Sequence, residues 1–376
     1  MVLLERRKYL PALPSFRAGL CALGFLTVLL ALLRYPQQVR QSVAASISQC
    51  LTVLTPSLFP FMVLSSFAVV SPAAAALGGP LGGLTRKLFR LPGHCAAPVL
   101  MSFLGGYPAG ARGISLLLEQ GRITQEQAGR MLLFCVNPGV AFVITFLGWG
   151  MLGSGRLGLL LFVSVTLTGI LLGVLAAWKA PRPEEEILRE EAPGGGALIR
   201  SVNEGARSVL LMCACVVLFS GFTALLHGSG VYGFLVRQLS RMGGLSPFQW
   251  GAVLSFGLEV TGGVGDALQA GAGPAVYAFG LGFGGLCVHM QVFAFFPQLP
   301  VKRWKYFLFR LMHGLLSAGC CLLLQTFLPH GALAAWAPAG TQGVRAFSGT
   351  AAGGASVLLM CGAFLLMLGQ KETQNK

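Results

Sequence analysis

Two short motifs place reactive groups inside long apolar runs. The first is Gly105-Gly106-Tyr107-Pro108-Ala109-Gly110-Ala111-Arg112. Gly and Pro open the backbone there and leave N–H groups unpaired at the start of the arm that follows. Such a helix start carries partial positive charge and favours anions. Arg112 would add a guanidinium fork suited to a carboxylate, unless it snorkels to the surface. The second motif is Ser255-Phe256-Gly257-Leu258-Glu259-Val260-Thr261-Gly262-Gly263. A charge at membrane depth costs about 2.5–3.5 kcal/mol even on the lenient insertion scale. Glu259 is therefore a candidate proton or cation coupling group, or a substrate acceptor, against the plainer reading of an interfacial Glu. Asn137 precedes Pro138, and His289 and Gln291 follow Gly284-Gly285. Each is a polar group at a helix break, where a satisfied structural amide or imidazole is the competing reading. The candidate substrate-binding set is Tyr107, Gly110, Arg112, Asn137, Glu259, Thr261, His289 and Gln291. Thr55 and Ser57, beside Pro56 and Pro60, read instead as partners for backbone freed by a kink.

The elements that must position these groups follow from composition. Of 376 residues, 55% are hydrophobic and only 10% charged, against about 25% charged in a soluble chain. The mean hydropathy of +0.73 agrees, and the expected surroundings are a lipid bilayer. Apolar stretches of spanning length, about 20 residues, fall near 18–34, 46–70, 131–150, 157–178, 208–227, 274–297, 306–328 and 349–369. Two more, 92–121 and 246–272, are paired short arms around Gly/Pro-rich tips and read as re-entrant hairpins. The fold class expected is an all-α polytopic membrane protein with about eight spans and two hairpins. With both termini cytoplasmic, 20 basic residues fall inside and six outside, as the positive-inside rule asks. The formal charge of +15 is thus a topology signal, and no nucleic-acid partner follows from it. Assembly into a homo-oligomer is compatible with the sequence.

Five segments result: an N-terminal signal-anchor helix over 1–40, a first repeat over 41–180, an acidic and Gly-rich linker over 181–196, a second repeat over 197–330, and a C-terminal helix and tail over 331–376. Val99-Leu100-Met101-Ser102-Phe103-Leu104-Gly105-Gly106 resembles Ala252-Val253-Leu254-Ser255-Phe256-Gly257-Leu258-Glu259. In each half a hairpin precedes a broken span. The deduced topology makes the repeats inverted, a sequence signature of secondary transporters with a midplane substrate site. Enzyme readings fail on their own terms. Gly280-x-Gly282-x-x-Gly285 has no preceding strand or following acid. Gly263-Val264-Gly265-Asp266 matches an intramembrane aspartyl protease motif, which needs two Asp, whereas Asp266 is the sole Asp in the chain. The ten Cys sit mostly in apolar runs, no spacing resembles a metal site, and no cofactor is expected beyond a coupling Na+ or H+.

Leu58-Phe59-Pro60-Phe61, Leu91-Pro92-Gly93, Gly106 through Arg112, Leu132-Leu133-Phe134-Cys135-Val136-Asn137-Pro138-Gly139, Leu258 through Gly263 and Phe283 through Gln291 together resemble the YlbJ-type sporulation integral membrane proteins, which carry paired nucleoside-recognition ("gate") domains. Arg112 stands where that pattern commonly has Lys. The resemblance covers about residues 40–330 and implies a fold similar to concentrative nucleoside transporters. It also implies transport of dipicolinate, a small planar dianion, across the outer forespore membrane. Arg112, the first hairpin's backbone and Asn137 would hold the carboxylates, with Glu259 and Gln291 completing the site. The alternatives are a nucleoside or other small-metabolite transporter, and a non-transporting assembly factor of the spore envelope.

Overall fold

The computed structural model describes residues 16–71, 73–183 and 196–327, without the side chains of 16–17, 69–70 and 73–79. The expected span 349–369, the tail from 331, the first fifteen residues and most of the linker lie outside the described residues. Every regular element among them is helical, with no strand. Five helices are long and apolar enough to cross a membrane: Pro36–Ala68, Gly155–Ala177, Ala197–Gly228, Pro274–Ala294 and Arg303–Thr326. These match the expected spans 46–70, 157–178, 208–227, 274–297 and 306–328. The expected span 18–34 is a shorter apolar helix, and 131–150 is divided by a break.

In chain order the helices are α1 (Phe16–Arg34), α2 (Pro36–Gln49), α3 (Thr55–Val70), α4 (Ala73–Phe89), α5 (Ala96–Leu104), α6 (Tyr107–Glu119), α7 (Gln125–Phe134), α8 (Gly155–Ala177), α9 (Ala197–Gly228), α10 (Val231–Ser240), α11 (Pro247–Leu258), α12 (Val260–Gln269), α13 (Pro274–Phe283), α14 (Gly285–Ala294) and α15 (Arg303–Thr326). A π turn over Cys50–Leu54 joins α2 to α3, and a π-helix over Ala141–Met151 follows α7. The π turn lies just before Pro56, whose missing N–H disrupts the regular helical ladder. Thr52, rather than the expected Thr55, closes a local bond there, its hydroxyl donating to the Ser48 carbonyl at 2.7 Å. Thr55 instead faces the Cys213 sulfur at 3.7 Å.

Each side of the linker runs long helix, short helix, hairpin, broken helix, long helix: α3 to α8, then α9 to α15. The two sets interlock, with α3 against α9, α8 against α15 and α13 against both α8 and α15. Apolar surface alone drives little association in lipid, so helices there rely on close backbone approach. Small residues permit it. The Gly148 and Gly158 backbones meet where any Cβ would clash, and a Cβ on Gly282 would stand 2.8 Å from the His313 carbonyl oxygen. By contrast α1 is exposed nearly all round, with Leu20, Phe25 and Leu33 among its open side chains. An apolar helix with so little protein contact belongs in lipid.

Candidate functional site

The hairpin tips are built from the local sequence. In hairpin one, α5 ends at Leu104 and α6 starts at Tyr107, with Pro108 set early where its missing N–H costs nothing. Gly106 between them has φ 94° and ψ 179°, a region essentially confined to Gly. No side chain caps α6. In hairpin two the corresponding residue is Glu259, extended at φ −151° and ψ 134°. Its carboxylate caps α12. Oε1 accepts from the Thr261 N–H at 2.8 Å, and Oε2 accepts from the Gly262 N–H at 2.7 Å and the Thr261 hydroxyl at 2.6 Å.

Each tip docks on a helix break. Pro138 disfavours helix at Asn137, and α7 stops at Phe134 before the chain resumes as the π-helix. Gly139 in this break lies against the first tip, and a Cβ on it would stand 2.9 Å from the Gly106 nitrogen. The second break is Gly284-Gly285, both at positive φ. A Cβ on Gly285 would stand 2.7 Å from the Phe256 carbonyl oxygen and 3.1 Å from that of Leu258. Tip and break meet backbone to backbone in both halves.

Both tips, the first break and the start of α14 just past the second break then line one pocket. Gly105, Gly106, Tyr107 and Pro108 come from the first tip; Glu259, Val260 and Thr261 from the second. Gly139 and Phe142 belong to the first break, Val288 and Gln291 follow the second, and α3 and α9 supply apolar walls through Leu58, Met62, Met212 and Val216. An apolar pocket with few convergent polar groups is the form of a small-molecule site.

Four of the eight candidate residues, Tyr107, Glu259, Thr261 and Gln291, face this cavity. Tyr107 also crosses between the halves, donating its hydroxyl to the Leu281 carbonyl at 2.7 Å. The Gln291 amide rests on the Cys287 sulfur at 3.3 Å. The other four are placed elsewhere. Gly110 is a packing position, where any Cβ would overlap the Cys135 carbonyl oxygen. Arg112 is one and a half turns beyond the tip and turned away from it. Its guanidinium donates to Glu204 at 2.9 Å and Glu119 at 2.9 Å, so its fork is already occupied by carboxylates of this chain. Asn137 is buried, its amide donating to the Phe134 carbonyl at 2.7 Å and to the Ser102 hydroxyl at 3.4 Å. His289 pairs with the Phe283 carbonyl at 3.0 Å and packs edge-on against Phe283, Tyr306 and Phe307. Asn137 and His289 thus close the two breaks rather than face the cavity. Asp266 lies well along α12, where it accepts from Ser255 and from Tyr232 at 3.4 Å and ties hairpin two to α10.

Sequence reasoning missed Arg310. It stood among the cytoplasmic basic residues; in the structure it is fully buried in α15 and bonded to both breaks. Removing it from the topology count leaves 19 basic residues inside against six outside. The available signal was the one that singled out Glu259: a charge inside an apolar run, here Phe307-Leu308-Phe309-Arg310-Leu311.

Long apolar helices, half-length helical arms and a cavity between broken helices define an all-helical integral membrane protein. Within that class the chain is similar to the YlbJ-type proteins. It is 26% identical over 339 residues to the sporulation integral membrane protein YlbJ of Bacillus subtilis (strain 168), a match that covers 81% of this chain and 82% of that protein. No protein-family profile matches the chain. No solved structure matches it.

Proposed function

We propose that this protein is a secondary-type transporter of a small anionic metabolite, with dipicolinate the foremost substrate, acting at the outer forespore membrane during sporulation. The observation that carries the reading is one pocket lined by both hairpin tips, by the first helix break and by Val288 and Gln291 just past the second. Transporters of inverted-repeat design bind substrate where half-helix ends converge, and alternating access moves one repeat against the other. The recurrence of hairpin and broken helix in each half supports treating the halves as inverted repeats.

The contrast between the tips supports an anion. Glu259 fills the α12 N-terminus with a carboxylate of the chain itself, whereas the α6 N-terminus has no side-chain cap. A substrate carboxylate at the first tip would occupy there the place that Glu259 occupies at the second. Tyr107 offers an aromatic face for a planar ring, and Thr261 and Gln291 offer hydrogen bonds. Arg112 leaves the substrate set because its guanidinium is held by two carboxylates of the chain, and Asn137 because it does not line the pocket and its amide N–H donates within the first break. Glu259 would repel a dianion, so its role is coupling, through a proton or a Na+ that neutralises it.

Uptake of labelled dipicolinate into proteoliposomes tests the reading. Saturable uptake that an imposed Na+ or proton gradient drives, and that unlabelled uridine leaves unchanged, is expected. Competition by uridine would move the substrate to nucleosides. Absence of flux, together with normal sporulation of a Glu259→Ala strain, would leave an assembly factor as the better reading.

A further inference from the structure

Arg310 is the side chain that neither the cavity nor the sequence pattern accounts for. Its guanidinium donates through Nη1 to the Val136 carbonyl at 2.5 Å, through Nε to the Phe283 carbonyl at 3.1 Å and through Nη2 to the Gly282 carbonyl. Val136 belongs to the first break, Gly282 and Phe283 to the end of α13. Both α7 and α13 stop inside the protein, and a helix that stops exposes carbonyls with partial negative charge. One planar fork of five donors can serve both ends at once, which a single ammonium group cannot. Its hydrogen bonds among the described residues go to carbonyls and none to a carboxylate. A buried charge is costly unless its donors are engaged, so three carbonyls from two elements more than 140 positions apart are its compensation. The cavity wall is adjacent. A Cβ on Gly284 would stand 3.3 Å from Arg310 Nη2 and 3.5 Å from the Tyr107 ring, and Tyr107 itself reaches Leu281.

We propose that Arg310 is a positioning residue that clamps the two helix breaks to one another, one from each half of the chain, and so fixes the Tyr107 wall of the cavity. The clamp is a contact within the fold itself, and its test needs no substrate. Hydrogen exchange is measured by mass spectrometry on the full chain in lipid nanodiscs, as wild type, Arg310→Gln and Arg310→Lys. In Arg310→Gln, protection at 135–140 and at 282–286 falls together, by about tenfold or more, while α8 and α9 change little. Arg310→Lys keeps the charge but loses the fork, and protects one break at most. A side chain that merely fills space would loosen α15 and its neighbours alike, and would be rescued by Lys. Wild-type protection at both breaks in either variant, loosening of one break only in Arg310→Gln, or a uniform rise across the molecule overturns the clamp. If Arg310→Gln does not fold, Arg310→Lys decides: fast exchange at one or both breaks supports the clamp, and full protection at both refutes it. Failure of dipicolinate uptake leaves this measurement untouched, so the clamp and the transport reading fail separately.

Discussion

The two hairpin tips share a backbone plan and differ in chemistry. Each is a pair of helical arms whose turn rests on a break in the following helix, through Gly139 in one half and Gly285 in the other. Gly106 at the first tip offers no side chain and a conformation reserved for Gly; Glu259 at the same place in the second offers a carboxylate in an ordinary extended conformation. Close packing dictates the shared part. The differing part leaves one helix start filled from within and the other uncapped at the same cavity. The two halves are thus alike where backbones touch and differ where a side chain faces space.

Substitutions can break or sharpen this contrast. The largest effect on flux is expected at the second tip: Glu259→Gln should reduce dipicolinate uptake to background, since it removes the ionisable group. Its stability loss should stay near 1 kcal/mol, because one amide oxygen still caps α12. Uptake alongside a thermal melt in detergent separates the two effects. At the first tip the order reverses. Gly106→Ala should cost about 1–3 kcal/mol from its backbone conformation alone, visible as a lowered melting temperature, with flux falling only as folded protein falls. Should Gly106→Ala melt like wild type, the claim that the tips differ in backbone demand is wrong. Asn137→Ala removes the amide that closes the first break and should cost about 1–2 kcal/mol, read from the same melt. The smallest effect is expected at Arg112→Ala. Its ion pairs to Glu119 and Glu204 involve side chains 17% to 55% exposed, a setting worth below about 1 kcal/mol. Uptake within about twofold of wild type is the expected result, and a dipicolinate-specific loss would return Arg112 to the binding set.

Much of this arrangement was legible in the chain. The hairpins were, because short apolar arms around Gly/Pro tips have no other good reading in a bilayer. The breaks were, because Pro138 and Gly284-Gly285 cannot continue a regular helix. Glu259 was, because a lone acid in an apolar run is expensive. The roles of Asn137, His289 and Arg112 were not. A polar side chain beside a break has two uses, facing a ligand or pairing with the opened backbone, and spacing does not distinguish them. The same holds for Gly110, whose type fits either a flexible turn or a close contact, and it makes the contact.

By itself the sequence determined the class: charge scarcity, apolar length and basic asymmetry are properties of composition and order, and they require a bilayer. It also determined where helices stop, because Pro and Gly act on their own backbone. Only the tertiary structure decided which stopped ends meet. The joining of Val136 to Gly282 and Phe283 through Arg310, and of both tips around one cavity, depends on how α15 and α9 pack across the halves. Those contacts span more than a hundred residues. A buried donor finds its acceptor in three dimensions, and no local pattern encodes that partner.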